Sequence, residues 1–188
     1  MKKLVFFLGG HDAEMCAIRN LLEEHGLAYH DKSLGWGAAL SEYTEELNTI
    51  TTETPVFVEL KLDIPYPESS IIIDHHGKNA GKHKPVSIEQ IAAMLNIELT
   101  RQQKLIAAND RAHIPGLKAA GATEKEIEEI RAYDRSCQGV TEKEEKQAEY
   151  LCQHFKSSVS LDVLEIPFTH TSPVTDRLHG KYRMKRLL

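Results

Sequence analysis

Four short stretches of this chain carry side chains that could do chemistry. They are His11-Asp12-Ala13-Glu14, Glu59 with Asp63 just beyond it, Asp74-His75-His76-Gly77, and Asp110 within Asn109-Asp110-Arg111. Carboxylates mixed with imidazole form a hard-to-borderline donor set that suits Mn²⁺, and also Fe²⁺, Co²⁺ or Zn²⁺. Each group has an ordinary reading beside the functional one. Asp12 and Glu14 suit the first turn of a helix, where the dipole favours acids. Glu59 suits a solvated strand end, and Asp110 an ordinary helix end. Asp74-His75-His76 resists such a reading, because it follows Ile71-Ile72-Ile73 directly. Three ionisable groups at a buried strand end are unfavourable unless paired or metal-bound.

The elements that must position these groups are legible as two halves. In the first, residues 4–8, 55–60 and 71–74 are short apolar runs without alternation, as expected of strands covered on both faces. Met15, Ile18, Leu21 and Leu22 recur at helical spacing before Gly26, which predicts a helix over 14–25 with glycine at its end. A further strand is expected over 27–30, and a loop with a short helix from Ser41 in the segment 32–52. Strand–helix alternation of this kind predicts an α/β fold: an open, mostly parallel sheet with helices on both faces. In such sheets ligands bind beyond the carboxyl ends of the strands. Those ends are where the first three stretches fall.

The second half is helical. Ser87 to Gln90, Thr100 to Gln103, Thr123 to Glu126 and Thr141 to Glu144 each match the Ser/Thr-x-x-Glu/Gln capping box. They predict helices near 87–96, 100–109, 123–134 and 141–156. The acid-rich runs 124–129 and 142–149 read as solvated helix faces.

Composition narrows the setting. The chain has 188 residues, enough for one independent core, and a net charge of −5 at pH 7, which argues against stable nucleic-acid binding. Its opening apolar run of five residues is shorter than the ~7–15 of a signal peptide, and no run approaches the ~20 of a membrane-spanning helix. Cys16, Cys137 and Cys152 are odd in number and far apart, without a Cys-x-x-Cys. Neither a disulfide framework nor a structural zinc is expected, and a cytoplasmic protein with reduced thiols is.

An apolar strand, Asp74-His75-His76-Gly77 and a polar loop into a helix, with an acid-x-acid element after the first strand, resemble the DHH phosphoesterase superfamily over residues 3–135. The resemblance implies a DHH-like, Rossmann-type catalytic lobe, placed at 1–160, that hydrolyses a small phosphorylated or nucleotide substrate with divalent ions, usually Mn²⁺. Carried over by position, Asp12 would hold one ion, and Glu14, His75 and Asp110 the other, with Glu59 bridging. Asp74 would orient His75, and His76 would face the phosphate.

The sequence departs from that pattern at several points. Asp12-x-Glu14 stands where Asp-x-Asp is common, and Leu8 stands where many members carry His. The bridging acid is Glu59 or Asp63, and one ion or two are both open. A second domain is usual in the family. Here residues 161–188 read as a strand over 161–167 and a basic tail, either closing on the lobe or beginning an absent domain. The alternative to an enzyme is a non-catalytic metal- or nucleotide-binding module, and a homo-oligomer is open in either case. Asn109, Arg111 and a loop with Lys78, Lys82 and His83 could meet phosphate, and Trp36 is expected to pack beneath its loop.

Overall fold

The protein is described here from a computed structural model covering residues 3–77, 84–156 and 163–181. Strands β1 (Leu4–Leu8), β2 (Ala28–Asp31), β3 (Thr54–Val58) and β4 (Ile71–Ile73) form one all-parallel sheet in the order β2-β1-β3-β4. Helix α1 (Ala13–Glu24) crosses over between β1 and β2. A 3-10 helix (Leu40–Tyr43) and α2 (Thr44–Asn48) lie between β2 and β3. Then come α3 (Ser87–Leu95), α4 (Arg101–Ala119), α5 (Glu124–Cys137), α6 (Glu142–His154) and α7 (Ser172–Leu178). The expected open parallel α/β sheet is the fold observed. No helix among the described residues is long and apolar enough to cross a membrane.

Period-two alternation sends successive β1 side chains to opposite faces. Phe6 and Leu8 join Val56, Val58 and Ile73 beneath Ile18 and Leu22 of α1, Ile88 and Ile91 of α3, and Ile106 of α4. Val5, Phe7 and Phe57 pack on the other face with Leu40, Tyr43 and Leu60. Burial on both faces explains why these strands read as unbroken apolar runs. The second face is covered by short elements, because the connection from β3 to β4 carries no helix. That connection is pinned instead: Lys61 exchanges backbone hydrogen bonds with Ala38 and Leu40 at 2.8 and 2.9 Å.

Two departures bear on the site. Strand β3 stops at Val58 rather than residue 60, because Glu59 adopts the left-handed region at φ 54°. Such a conformation in a non-glycine residue costs about 1–3 kcal/mol and persists only where the surroundings impose it. Helix α4 runs well past residue 109 but breaks at Ala112 and His113, the latter at φ 53° and ψ −146°. Pro115 explains the break, since its ring in a regular helix would collide with the Arg111 carbonyl. Beyond the break the chain comes so close to the first half of α4 that a Cβ on Gly116 would lie 2.1 Å from the Ala108 carbonyl oxygen.

The chain forms two compact units, 1–134 and 135–188, dividing within α5 rather than near residue 160. In the second unit Ala148 of α6 packs with Val174 and Leu178 of α7. Residues 163–167 form no strand, contrary to expectation. The expected loop with Lys78, Lys82 and His83 and most of the basic tail lie outside the described residues. Trp36 is 92% exposed, so it does not pack beneath its loop.

Candidate metal centre

Parallel strands deliver their carboxyl ends to one edge, and a residue from each of the four expected stretches meets there. His75 follows β4, Glu59 follows β3, Glu14 lies in the first turn of α1, and Asp110 lies just before the break in α4. The Nε2 of His75 stands 2.8 Å from Asp110 Oδ2, 3.1 Å from Glu59 Oε1 and 3.7 Å from Glu14 Oε2. Glu14 is 2% exposed. His75 Nε2, Asp110 Oδ2 and Glu14 Oε2 are all buried without a partner in hydrogen-bonding geometry. One ring nitrogen can donate to one acceptor, so three acids facing it cannot all be satisfied. With the ring neutral, as a metal ligand must be, the three acids carry three negative charges. One divalent ion would offset most of that charge, and carboxylate with imidazole is a fitting donor set for it.

The electrostatics carry the same imbalance. Burial and the charges of Asp110 and Glu59 push the Glu14 carboxyl well above the ordinary range. Burial works against charging the His75 ring, yet Asp110 and Glu59 outweigh it and raise His75 to about 10. Glu59 would be raised by burial, but the His75 ring and the Ser87 hydroxyl bring it below its usual value. Protons thus stand in for missing positive charge.

Other expected residues are placed differently. Asp12 caps α1, its Oδ1 accepting the Met15 N–H at 2.9 Å, so its ordinary role is realised. Burial raises it to about 6, opposed by that amide and assisted by the charges of Glu59, Asp110 and Asp134. Asp12 is in neither group of candidate ligands among the described residues: Glu14, His75 and Asp110, or Glu59, His75 and His76. Asp63 accepts from the Ser41 amide and hydroxyl at 3.0 and 2.7 Å, which leaves Glu59 as the acid at the centre.

Asp74 accepts from the His76 amide at 2.8 Å and stands 3.3 Å from His76 Nδ1, where the resemblance paired it with His75. The His75 and His76 rings lie 4.2 Å apart at 38°. Beside them opens a cleft of about 800 Å³ whose lining includes Lys84 and Arg111. Arg111 is ion-paired with Glu89.

Two sets of residues at the centre were not expected from sequence. Ser87, assigned a capping role, lies inside α3, and its hydroxyl donates to Glu59 Oε1 at 2.6 Å. The Ile88 N–H donates to Glu14 Oε1 at 2.9 Å. Behind α1, Asn109 accepts from Arg131 at 2.9 Å, Arg131 meets Asp134 at 2.7 Å, and Asp134 accepts the Ala13 N–H at 3.0 Å. A serine inside an otherwise satisfied helix start is the one sequence signal that could have flagged the first set. Comparison of the chain with family models, with curated proteins and with solved structures finds no match.

Proposed function

We propose that this chain is a divalent-metal-dependent phosphoesterase of the DHH type, acting on a small phosphorylated or nucleotide substrate. The observation that carries the proposal is the buried group of Glu14, Glu59, His75 and Asp110, with its unsatisfied polar atoms and its excess of negative charge. These four residues would hold the ion, with Mn²⁺ the expected one. When bound, such an ion shields phosphoryl charge and lowers the pKa of a coordinated water.

The remaining steps fall to the chain's own groups. His76, its side chain 46% exposed, borders the cleft, and Asp74 beside its Nδ1 fixes the ring. That leaves Nε2 to give a proton to the leaving oxygen, the work of a general acid. Lys84 places positive charge along the same cleft, where an anionic substrate would enter, and Arg111 lines it while paired with Glu89. Asp12, in neither candidate ligand group among the described residues, supports a single ion more than two. The departures from the family pattern at Leu8 and Glu14 favour a second reading, a metal-binding module without turnover.

Titration of the full chain with Mn²⁺ tests both readings. We expect saturation at one ion per chain and stabilisation of about 2.7 kcal/mol at a hundredfold excess over Kd. Both effects should collapse in Asp110→Ala and His75→Ala. Hydrolysis of bis-nitrophenyl phosphate in Mn²⁺ then separates enzyme from module. A chain that binds none of Mn²⁺, Co²⁺ or Zn²⁺ would sink the proposal.

A further inference from the structure

The first turn of α3 grips two of the candidate ligands at once. Ser87 is wholly buried, and its hydroxyl donates to Oε1 of Glu59 at 2.6 Å. One residue on, the Ile88 N–H takes Oε1 of Glu14 at 2.9 Å. The helix start does not need this hydroxyl, because Glu89 reaches back to the Val86 N–H at 3.0 Å. The positive end of the helix dipole faces the same two acids. In Glu14 the amide takes Oε1 and leaves Oε2 toward His75 at 3.7 Å. In Glu59, by contrast, the oxygen that Ser87 holds, Oε1, is the one at the centre, 3.1 Å from His75 Nε2, with Oε2 turned to His76 at 3.9 Å.

The number of oxygens a carboxylate can offer bears directly on which ion it suits. Ca²⁺ takes 6–8 oxygen ligands and commonly draws both oxygens from an acid. Smaller transition ions accept one oxygen from each acid and add imidazole readily. We infer that Ser87 is a positioning residue that sets the metal selectivity of this centre, holding Glu59 as a one-oxygen ligand and so disfavouring Ca²⁺ against Mn²⁺. Glu14 is held by a backbone amide, so Ser87 is the half of the clamp that a substitution can release. The inference rests on the metal-centre reading above and adds to it the question of which ion is admitted.

The test compares Mn²⁺ and Ca²⁺ affinities of the full chain by calorimetric titration, in the parent, Ser87→Ala and Ser87→Thr. Loss of a hydrogen bond behind a ligand typically costs about 10–100-fold in metal affinity. In Ser87→Ala we expect a loss of that order for Mn²⁺ and a smaller one for Ca²⁺, so that their ratio falls about tenfold. Ser87→Thr, which keeps the hydroxyl, should restore the parental ratio. Should Ser87→Ala unfold, Ser87→Cys carries the same test, since it keeps the volume and weakens the donor. Equal losses for both ions, or an unchanged ratio, would overturn the inference and leave the metal centre standing. A parent that binds neither ion would instead overturn the centre itself.

Discussion

At Arg135 and at His75 the chain buries charge in two opposite ways. In the second unit Arg135 meets Glu145 at 2.5 Å and Asp176 at 2.6 Å, while Arg177 meets Glu145 at 2.6 Å. Among the described residues two cations face two acids, and burial is tolerated where such charges balance. At the carboxyl edge of the sheet one imidazole faces three acids, and buried donor atoms are left without geometry to satisfy them. The contrast separates a structural ion network from a site built for something absent. A balanced cluster stabilises the fold it sits in. An unbalanced one lowers stability until a ligand supplies what it lacks.

That distinction can be broken first at the extremes. His76→Ala should lower hydrolysis of a phosphodiester by about 10²–10⁴-fold, the usual value of one general acid. The Mn²⁺-dependent thermal shift should be unchanged. Arg135→Met should do the reverse. Removing the guanidinium that meets buried Asp176 should cost about 3–5 kcal/mol in denaturant unfolding. The folded fraction should bind Mn²⁺ as the parent does. Were Arg135→Met neutral in stability, the balanced cluster would not be the structural one.

A third prediction concerns the unbalanced side alone. Glu14→Gln removes one of the crowded acids, so the chelator-treated protein should gain about 1 kcal/mol, roughly 2–4 °C in Tm at this chain length. The same variant should lose most of its response to Mn²⁺. A variant less stable than its parent without metal would show that Glu14 is held for the fold.

The fourth prediction is in pH. His75 is raised from 6.5 to about 10 in the folded, metal-free protein. A raised basic group contributes stability that is fully present below the unfolded value. That contribution is lost as pH climbs from 6.5 toward 10. The Tm of chelator-treated protein should therefore fall between pH 6.5 and 9, and the slope should be shallower in His75→Gln. A flat profile in the parent would remove His75 from among its acids.

Much of this was readable in the chain. The strands at 4–8 and 71–73 were marked by apolar runs, and their carboxyl ends located Glu14 and His75 before any contact was known, while Asp110, on a helix, was pointed to by the resemblance. Three capping boxes, at Thr100, Thr123 and Thr141, formed as local spacing predicted, because both partners lie within one turn. The fourth did not, since Ser87 found a partner 28 residues away in Glu59. Long-range pairs defeat local reading generally. Asp134 reaches Ala13 across 121 residues, and Arg131, just past a run that looked solvated, is buried to hold it there. Asp12 had two readings of equal merit from its spacing. The amide of Met15 realises the cap, and Asp12 lies in neither candidate ligand group among the described residues.

The candidate ligands come from residues 14, 59, 75 and 110, on four separate pieces of chain. None of these pieces can present its donor to the others until β1, β3, β4 and α4 have docked. An ion therefore has no assembled seat in a partly collapsed chain, nor in a nascent one from which residue 110 has not emerged. Its binding energy is expressed only on the native side of the folding barrier. By the usual partition of stability between rates, such an interaction slows unfolding and leaves the folding rate unmoved. Metal would then act on this protein as a lock on the way out and not as a guide on the way in.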